Sequence, residues 1–159
     1  VVILILLVHA FASCFMAGLC WCVQLVHYPM FALIAPGAAL GEAARVHARR
    51  ITWIVAPVML AEAVSASLLF LAAIVRHHPS DPATALKESW IVFVGAGMLV
   101  MNWLSTFLVV VPLHHRLQTT GDTSLVPRLV RVNLPRTLLW TARGILALVL
   151  VAVAGSRQA

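Results

Sequence analysis

Long unbroken apolar runs alternate with short polar stretches along the chain, at 1–28, 51–75, 90–111 and 134–154. Each run is near the roughly 20 residues that a helix needs to cross the hydrocarbon of a bilayer. None shows the period-two alternation of a barrel strand, so the predicted elements are helices, which satisfy their own backbone groups in lipid. The pattern predicts an all-α fold: one polytopic membrane domain over residues 1–159, built as a four-helix transmembrane bundle. Between the runs, Ala35-Pro36-Gly37 breaks the first, and 38–50 reads as an interfacial helical lead into the second. His78-Pro79-Ser80-Asp81-Pro82 reads as a turn, Pro112 as the end of the third helix, and QTTGDTS at 118–124 as a polar loop.

Composition supports the same class, since 62% hydrophobic and only 10% charged residues exclude an ordinary soluble domain. Lys and Arg number 11 against 5 Asp and Glu. Their placement points to orientation rather than to a nucleic-acid partner. Arg45, Arg49 and Arg50 lie in the first connection and Arg116, Arg128, Arg131 and Arg136 in the third, against Arg76 and Lys87 in the second and Arg157 in the tail. The positive-inside rule then puts the first and third connections in the cytoplasm and both termini outside, N-out and C-out. Attraction of these bases to anionic inner-leaflet lipid is sufficient to account for them.

The opening VVILILLVHAFASC has the look of a signal peptide ending in a lipoprotein-like Ala12-Ser13-Cys14. It lacks a basic leader and its apolar run continues to Tyr28, so it is read as the first membrane helix. The chain begins without Met, and a few leading residues are expected to be absent. Cys14, Cys20 and Cys22 fall on different faces of that helix with no CxxC pair, and read as small core side chains.

Glu62 is the one acid inside a run, and Arg143 is the one base well away from a run's ends. An ionisable side chain at membrane depth is a functional-site hypothesis by default. Counted from the basic ends of the runs, Glu62 lies roughly 17 Å deep, Asn102 roughly 15 Å and Arg143 roughly 15 Å. The three are expected to meet as a Glu62–Arg143 ion pair bridged by Asn102, Ser105 or Thr106, with Glu62, Arg143 and Asn102 as candidate catalytic residues. The plainer reading is a lock between helices, since a buried pair is weak evidence for stability yet can specify packing.

A second polar layer at the basic end holds Gln24, His27, His47, His114, Asn133 and Arg136. His27, His47 and His114 stand at one level, where neutral imidazoles can converge on a metal or haem iron. No HExxH or ExxH ligand motif accompanies them. A histidine at a helix end is otherwise an interfacial hydrogen-bonder. His115 is expected to face solvent, His77 and His78 belong to the turn after the second helix, and His9 stands alone in the far half of the first. In the fourth helix Asn133, Arg136, Thr137, Trp140 and Gly144 recur at helical spacing, a face that should point into the bundle. Trp140 and Trp103 are placed to stack on a planar ligand, with Arg136 or Arg143 holding an anionic substituent. Trp53 and Tyr28 read as boundary anchors.

The succession Trp21, His27-Tyr28-Pro29-x-Phe31, His47-x-x-Arg50, Pro57-x-Met59, Trp90 and the 128–136 arginines resembles small bacterial four-helix integral membrane proteins of uncharacterised function. More distantly, the layout is similar to the membrane-bound, haem-associated protoporphyrinogen oxidase family and to the anthrone-oxygenase-like family. That resemblance implies redox chemistry on an aromatic, porphyrin-like or quinol-like compound, with His27, His47 and His114 as ligands or proton exchangers. The protoporphyrinogen oxidase pattern carries a His after its Tyr-x-Pro segment and a Lys in the third helix. Here Ala35 stands in the comparable place and the third helix has no Lys, which leaves His27 as a displaced substitute. The alternative is an accessory or assembly subunit of a larger membrane complex, its polar residues serving helix contacts. Solute transport is disfavoured by the lack of an inverted repeat.

Overall fold

The computed structural model describes residues 2–75 and 82–156, with side chains of the second stretch from residue 90 onward. Arg76, His77, His78 and Arg157 lie outside the described residues, as does the Lys87 side chain. Four long helices pack as a bundle: α1 Val2–Phe31, α2 Ala38–Val75, α3 over 82–120 and α4 Leu125–Ser156. Each is long and apolar enough to cross a membrane. The bundle is apolar outside and polar within. Leu4, Phe11, Leu25 and Leu108 are exposed, whereas His9, Ser13, Gln24, Glu62, Asn102, Asn133, Arg136 and Arg143 are buried. Water does not favour so much outward apolar surface, and lipid does.

The helices are longer than the apolar runs. Residues 38–50, read as an interfacial lead, are continuous with α2, because Ala, Leu, Glu and Arg propagate a helix whatever their polarity. At the other basic connection, α4 starts at Leu125 and takes in the polar residues before the apolar run. Pro112 does not end α3. The turn ahead of it, Thr106–Val110, widens to a π turn in which the Val111 N–H reaches back to the Thr106 carbonyl. Pro29 in α1 is treated the same way, with a π turn at Val23–His27 and the Tyr28 N–H bonded to the Val23 carbonyl. Proline has no N–H and its ring crowds the carbonyl four residues back, so a wider preceding turn accommodates it without breaking the helix.

The α1–α2 and α3–α4 connections are joined. Gly37 and Gly121 both have positive φ, +86° and +58°, and the Gly37 N–H donates to the Gly121 carbonyl at 2.9 Å. In the α3–α4 connection Asp122 accepts from the Ser124 backbone at 2.8 Å and hydroxyl at 2.7 Å. Those bonds hold the Asp122 carboxyl below the usual carboxylate range. Close by, α2 and α3 approach so tightly that a methyl on Gly41 would come within 2.7 Å of the Gln118 carbonyl oxygen. Gly41→Ala should therefore lower the thermal unfolding midpoint in detergent, the about 1–3 kcal/mol of overpacking outweighing the helix-propensity gain of about 1 kcal/mol. Gly97→Ala, where nothing lies within 4 Å, should show no loss in the same melt.

Two apolar clusters build the core. Tyr28, Phe31, Leu40, Leu113, Leu117 and Leu129 pack at the end that carries the two joined connections. Met16, Cys20, Met59 and Trp140 pack deeper. The polar groups of interest lie beside the first cluster and beyond the second.

Candidate functional site

The two π turns flank a cavity of about 280 Å³. Val23 and Tyr28 from α1, His47, Ile51 and Val55 from α2, Thr106, Val110 and His114 from α3, and Arg136 from α4 all reach its wall. π turns concentrate at functional sites because the extra residue re-aims the side chains around it. Here each widened turn lies just ahead of a proline, and Tyr28 and His114 meet beside them, the hydroxyl 2.8 Å from Nε2. With the hydroxyl donating, His114 carries its hydrogen on Nδ1, a buried atom with no partner. His47 stacks on His114, centroids 5.8 Å apart at 16°, and its buried Nε2 is likewise without a partner. His27 sits 5.3 Å from His47, ring to ring.

Arg136 closes the inner wall. Its Nε donates to Thr106 Oγ1 at 3.0 Å and its Nη1 to Asn133 Oδ1 at 3.3 Å. Behind it Asn133 donates to Gln24 Oε1 at 2.8 Å, Gln24 donates to the Val130 carbonyl at 3.0 Å, and Thr106 donates to the Asn102 carbonyl at 2.8 Å. Gln24, Asn133, Thr106 and Arg136 thus form one connected network tying α1, α3 and α4 together. The second polar layer expected at this end is assembled, with Tyr28 as a member that the boundary-anchor reading placed elsewhere: it is only 3% exposed, whereas Trp53 is 80% exposed.

Convergence of the three histidines does not make a metal or haem site. Among the described residues no group of three or more His, Cys, Asp or Glu is arranged to hold a metal ion. His47 and His114 lie nearly face to face and the His114 Nε2 is taken by Tyr28, so their nitrogens do not aim at one axial position. The residues present do not fit haem. The cavity is also short of a macrocycle: about 150 Å³ of apolar cavity accepts benzene, and 280 Å³ is the scale of one substituted ring or two small fused ones.

One helical turn and more beyond lies the second polar group. Arg143 pairs with Glu62 and also donates to the Gly95 carbonyl. The acid is 0% and the base 2% exposed. His9 joins them, its Nδ1 3.2 Å from Ser65 Oγ and 3.9 Å from Glu62 Oε1. Ser65 itself donates to the Glu62 carbonyl at 3.0 Å. The structure therefore draws Glu62 and Arg143 together and adds a histidine and a serine that the sequence reading left out.

Asn102 does not bridge that pair. Both polar atoms of its buried side chain lack a hydrogen-bond partner, and helix register explains why. Gly95 on α3 meets Arg143 and Thr106 meets Arg136, so Asn102, about two turns past Gly95 and one before Thr106, stands between the levels of the two arginines. Trp140 occupies the matching level of α4, fully buried against Met16, Cys20 and Met59 and with the Arg143 guanidinium 6.0 Å from its ring. It is a core side chain separating the two polar groups rather than a wall of the cavity, and it was read as a stacking platform only because it shares a helix face with Arg136. Trp103 packs against the same cluster, and Thr106 serves Arg136, not the deep pair.

Comparison of the chain with known protein families, with curated proteins and with solved structures finds no match.

Proposed function

We propose that this chain is an integral membrane protein whose cavity receives a small quinol-like aromatic compound and exchanges a proton with its ring hydroxyl. One observation carries the reading: an apolar cavity of ring size has the Tyr28–His114 pair and the partnerless ring nitrogens of His47 and His114 in its wall. Cavities that bind small molecules are mostly apolar with a few polar groups. A neutral imidazole bonded to a phenol is suited to moving a proton at neutral pH. Redox turnover of such a compound is the form in which the family resemblance would apply. The positive-inside rule supports a cytoplasmic mouth, because Arg45, Arg49, Arg50, Arg116, Arg128 and Arg131 are exposed at the cavity's end of the bundle. It thereby supports N-out, C-out insertion in a bacterial inner membrane. The deep Glu62–Arg143 pair acts in this reading as a lock between helices.

The test is calorimetric titration of the detergent-purified protein with hydroquinone in two buffers of different ionisation heat. Expected are binding with proton exchange in the parent, loss of binding in Val55→Phe, which fills the cavity, and binding without proton exchange in Tyr28→Phe. Absence of hydroquinone binding to the well-folded parent would overturn the reading and favour a non-catalytic subunit of a larger complex. A Soret band lost in His114→Ala would restore the haem reading in its place.

A further inference from the structure

We infer that the ligand of this cavity carries a carboxylate, bound by Arg136, so that the site takes a small aromatic acid in preference to its neutral counterpart. The inference rests on the cavity being a ligand site, as proposed above, and adds the charge of what it takes.

Charge balance inside the bundle carries it. Among the described residues, three buried side chains are ionised in their ordinary state, Glu62, Arg136 and Arg143. Glu62 and Arg143 neutralise each other. Arg136, 6% exposed, has no carboxylate partner among the described residues, where the ion pairs are His9–Glu62, Arg45–Glu42 and Arg143–Glu62. Its two acceptors among the described residues, Thr106 Oγ1 and Asn133 Oδ1, are neutral. A guanidinium has five N–H donors and stays protonated in proteins. A buried arginine without a counter-charge is costly to keep away from water. It persists here on the wall of a cavity, and the Nη2 edge is the part of the fork with no acceptor among the described residues. A planar carboxylate matches that edge, and the pairing would be charge-assisted and shielded from water.

The network behind Arg136 has the form of a support. Thr106 of α3 and Asn133 of α4, the latter held by Gln24 of α1, fix two of its nitrogens, which leaves the guanidinium plane little freedom and prepares it for a ligand. Val23, Ile51, Val55 and Val110 supply the apolar wall for a ring. The free nitrogens of His47 and His114 are then available to a ring hydroxyl. The exposed arginines around the mouth raise the local concentration of an anion approaching from that side. Arg143 does not compete for the role, since its charge is met by Glu62 and it is absent from the cavity wall.

The test compares benzoate, benzamide and hydroquinone on the same purified protein by calorimetry. Benzamide has nearly the shape of benzoate without its charge, so the comparison needs no variant. Benzoate is expected to bind about 30-fold or more tighter than benzamide, with affinity falling as salt rises. Arg136→Gln should abolish that preference, bringing the benzoate-to-benzamide affinity ratio to about one. Hydroquinone binding with no preference for benzoate over benzamide would overturn the carboxylate inference alone. Equal stabilisation by benzoate and by inorganic sulfate, lost together in Arg136→Gln, would also overturn it by showing a bare anion site. If no compound binds, the ligand-site reading falls and this inference with it. If Arg136→Gln does not fold, the benzoate-to-benzamide ratio on the parent still decides.

Discussion

Arg143→Met should be among the most damaging single substitutions in the protein, costing about 3–5 kcal/mol of stability and lowering the detergent unfolding midpoint accordingly. The loss comes less from the missing attraction than from what is left behind, a Glu62 carboxylate that is fully buried in an apolar bundle. The Gly95 carbonyl and the Trp140 face would lose their partner too. Glu62→Met should cost a similar amount, because a guanidinium has no accessible neutral form. The double replacement Glu62→Met with Arg143→Met should recover most of the loss, since exchanging a buried pair for apolar side chains of similar volume is commonly neutral or better. That cycle separates a helix lock from a working site. A refolded double variant that binds hydroquinone normally identifies the pair as a lock. A refolded double variant that binds nothing would mean that Glu62 and Arg143 act on the ligand through the layer of Trp140 and Asn102.

Gly121→Ala should produce the second large effect, visible as poor assembly and a depressed unfolding midpoint. At φ +58° an added side chain meets the left-handed penalty of about 1–2 kcal/mol. A methyl there would also overlap the Gly37 backbone. Backbone cannot swing aside as a side-chain end can, so relief requires parting the two connections and breaking the Gly37–Gly121 hydrogen bond, about 1 kcal/mol more. Gly37→Ala is the control. Its φ is also positive, but nothing lies within 4 Å of the added methyl, so it should lose only the conformational part. Equal losses in the two variants would mean that strain, not the contact between the connections, is what matters.

Much of the fold was legible because lipid imposes simple rules. Unbroken apolar runs of membrane-spanning length, charges concentrated in the connections and a polar stripe on α4 required a helical bundle with its polar residues inside. The helix ends were less legible. Hydropathy reports where a helix is bathed in lipid, and 38–50 and 125–133 are helical for reasons of propensity. That error had a consequence at the site. Counted from the true ends, Glu62 lies roughly 36 Å along α2 from Ala38 and His9 roughly 33 Å along α1 from Phe31, which makes them neighbours in level. With α2 begun at residue 51, Glu62 seemed far shallower and His9 looked solitary. Two signals could have found the missing members: an ionisable His9 opposite Ser65 and Glu62, and a proline following each of the turns that bring Tyr28 and His114 to the cavity.

What the sequence determined by itself is the class of the molecule: four apolar helices, a basic end, a Glu62–Arg143 pair and a second layer of histidines with Arg136. Composition and spacing carry these because they depend on the solvent and on position along a helix. The tertiary structure alone decided which polar groups touch. It joined His9 to the deep pair, detached Asn102 from it, made Trp140 a partition, turned Tyr28 inward onto His114 and left Arg136 beside a ring-sized cavity without a counter-charge among the described residues. Those outcomes depend on interhelical register and on two widened turns, and a change of one residue in either rotates a side chain by roughly 100° to a different neighbour.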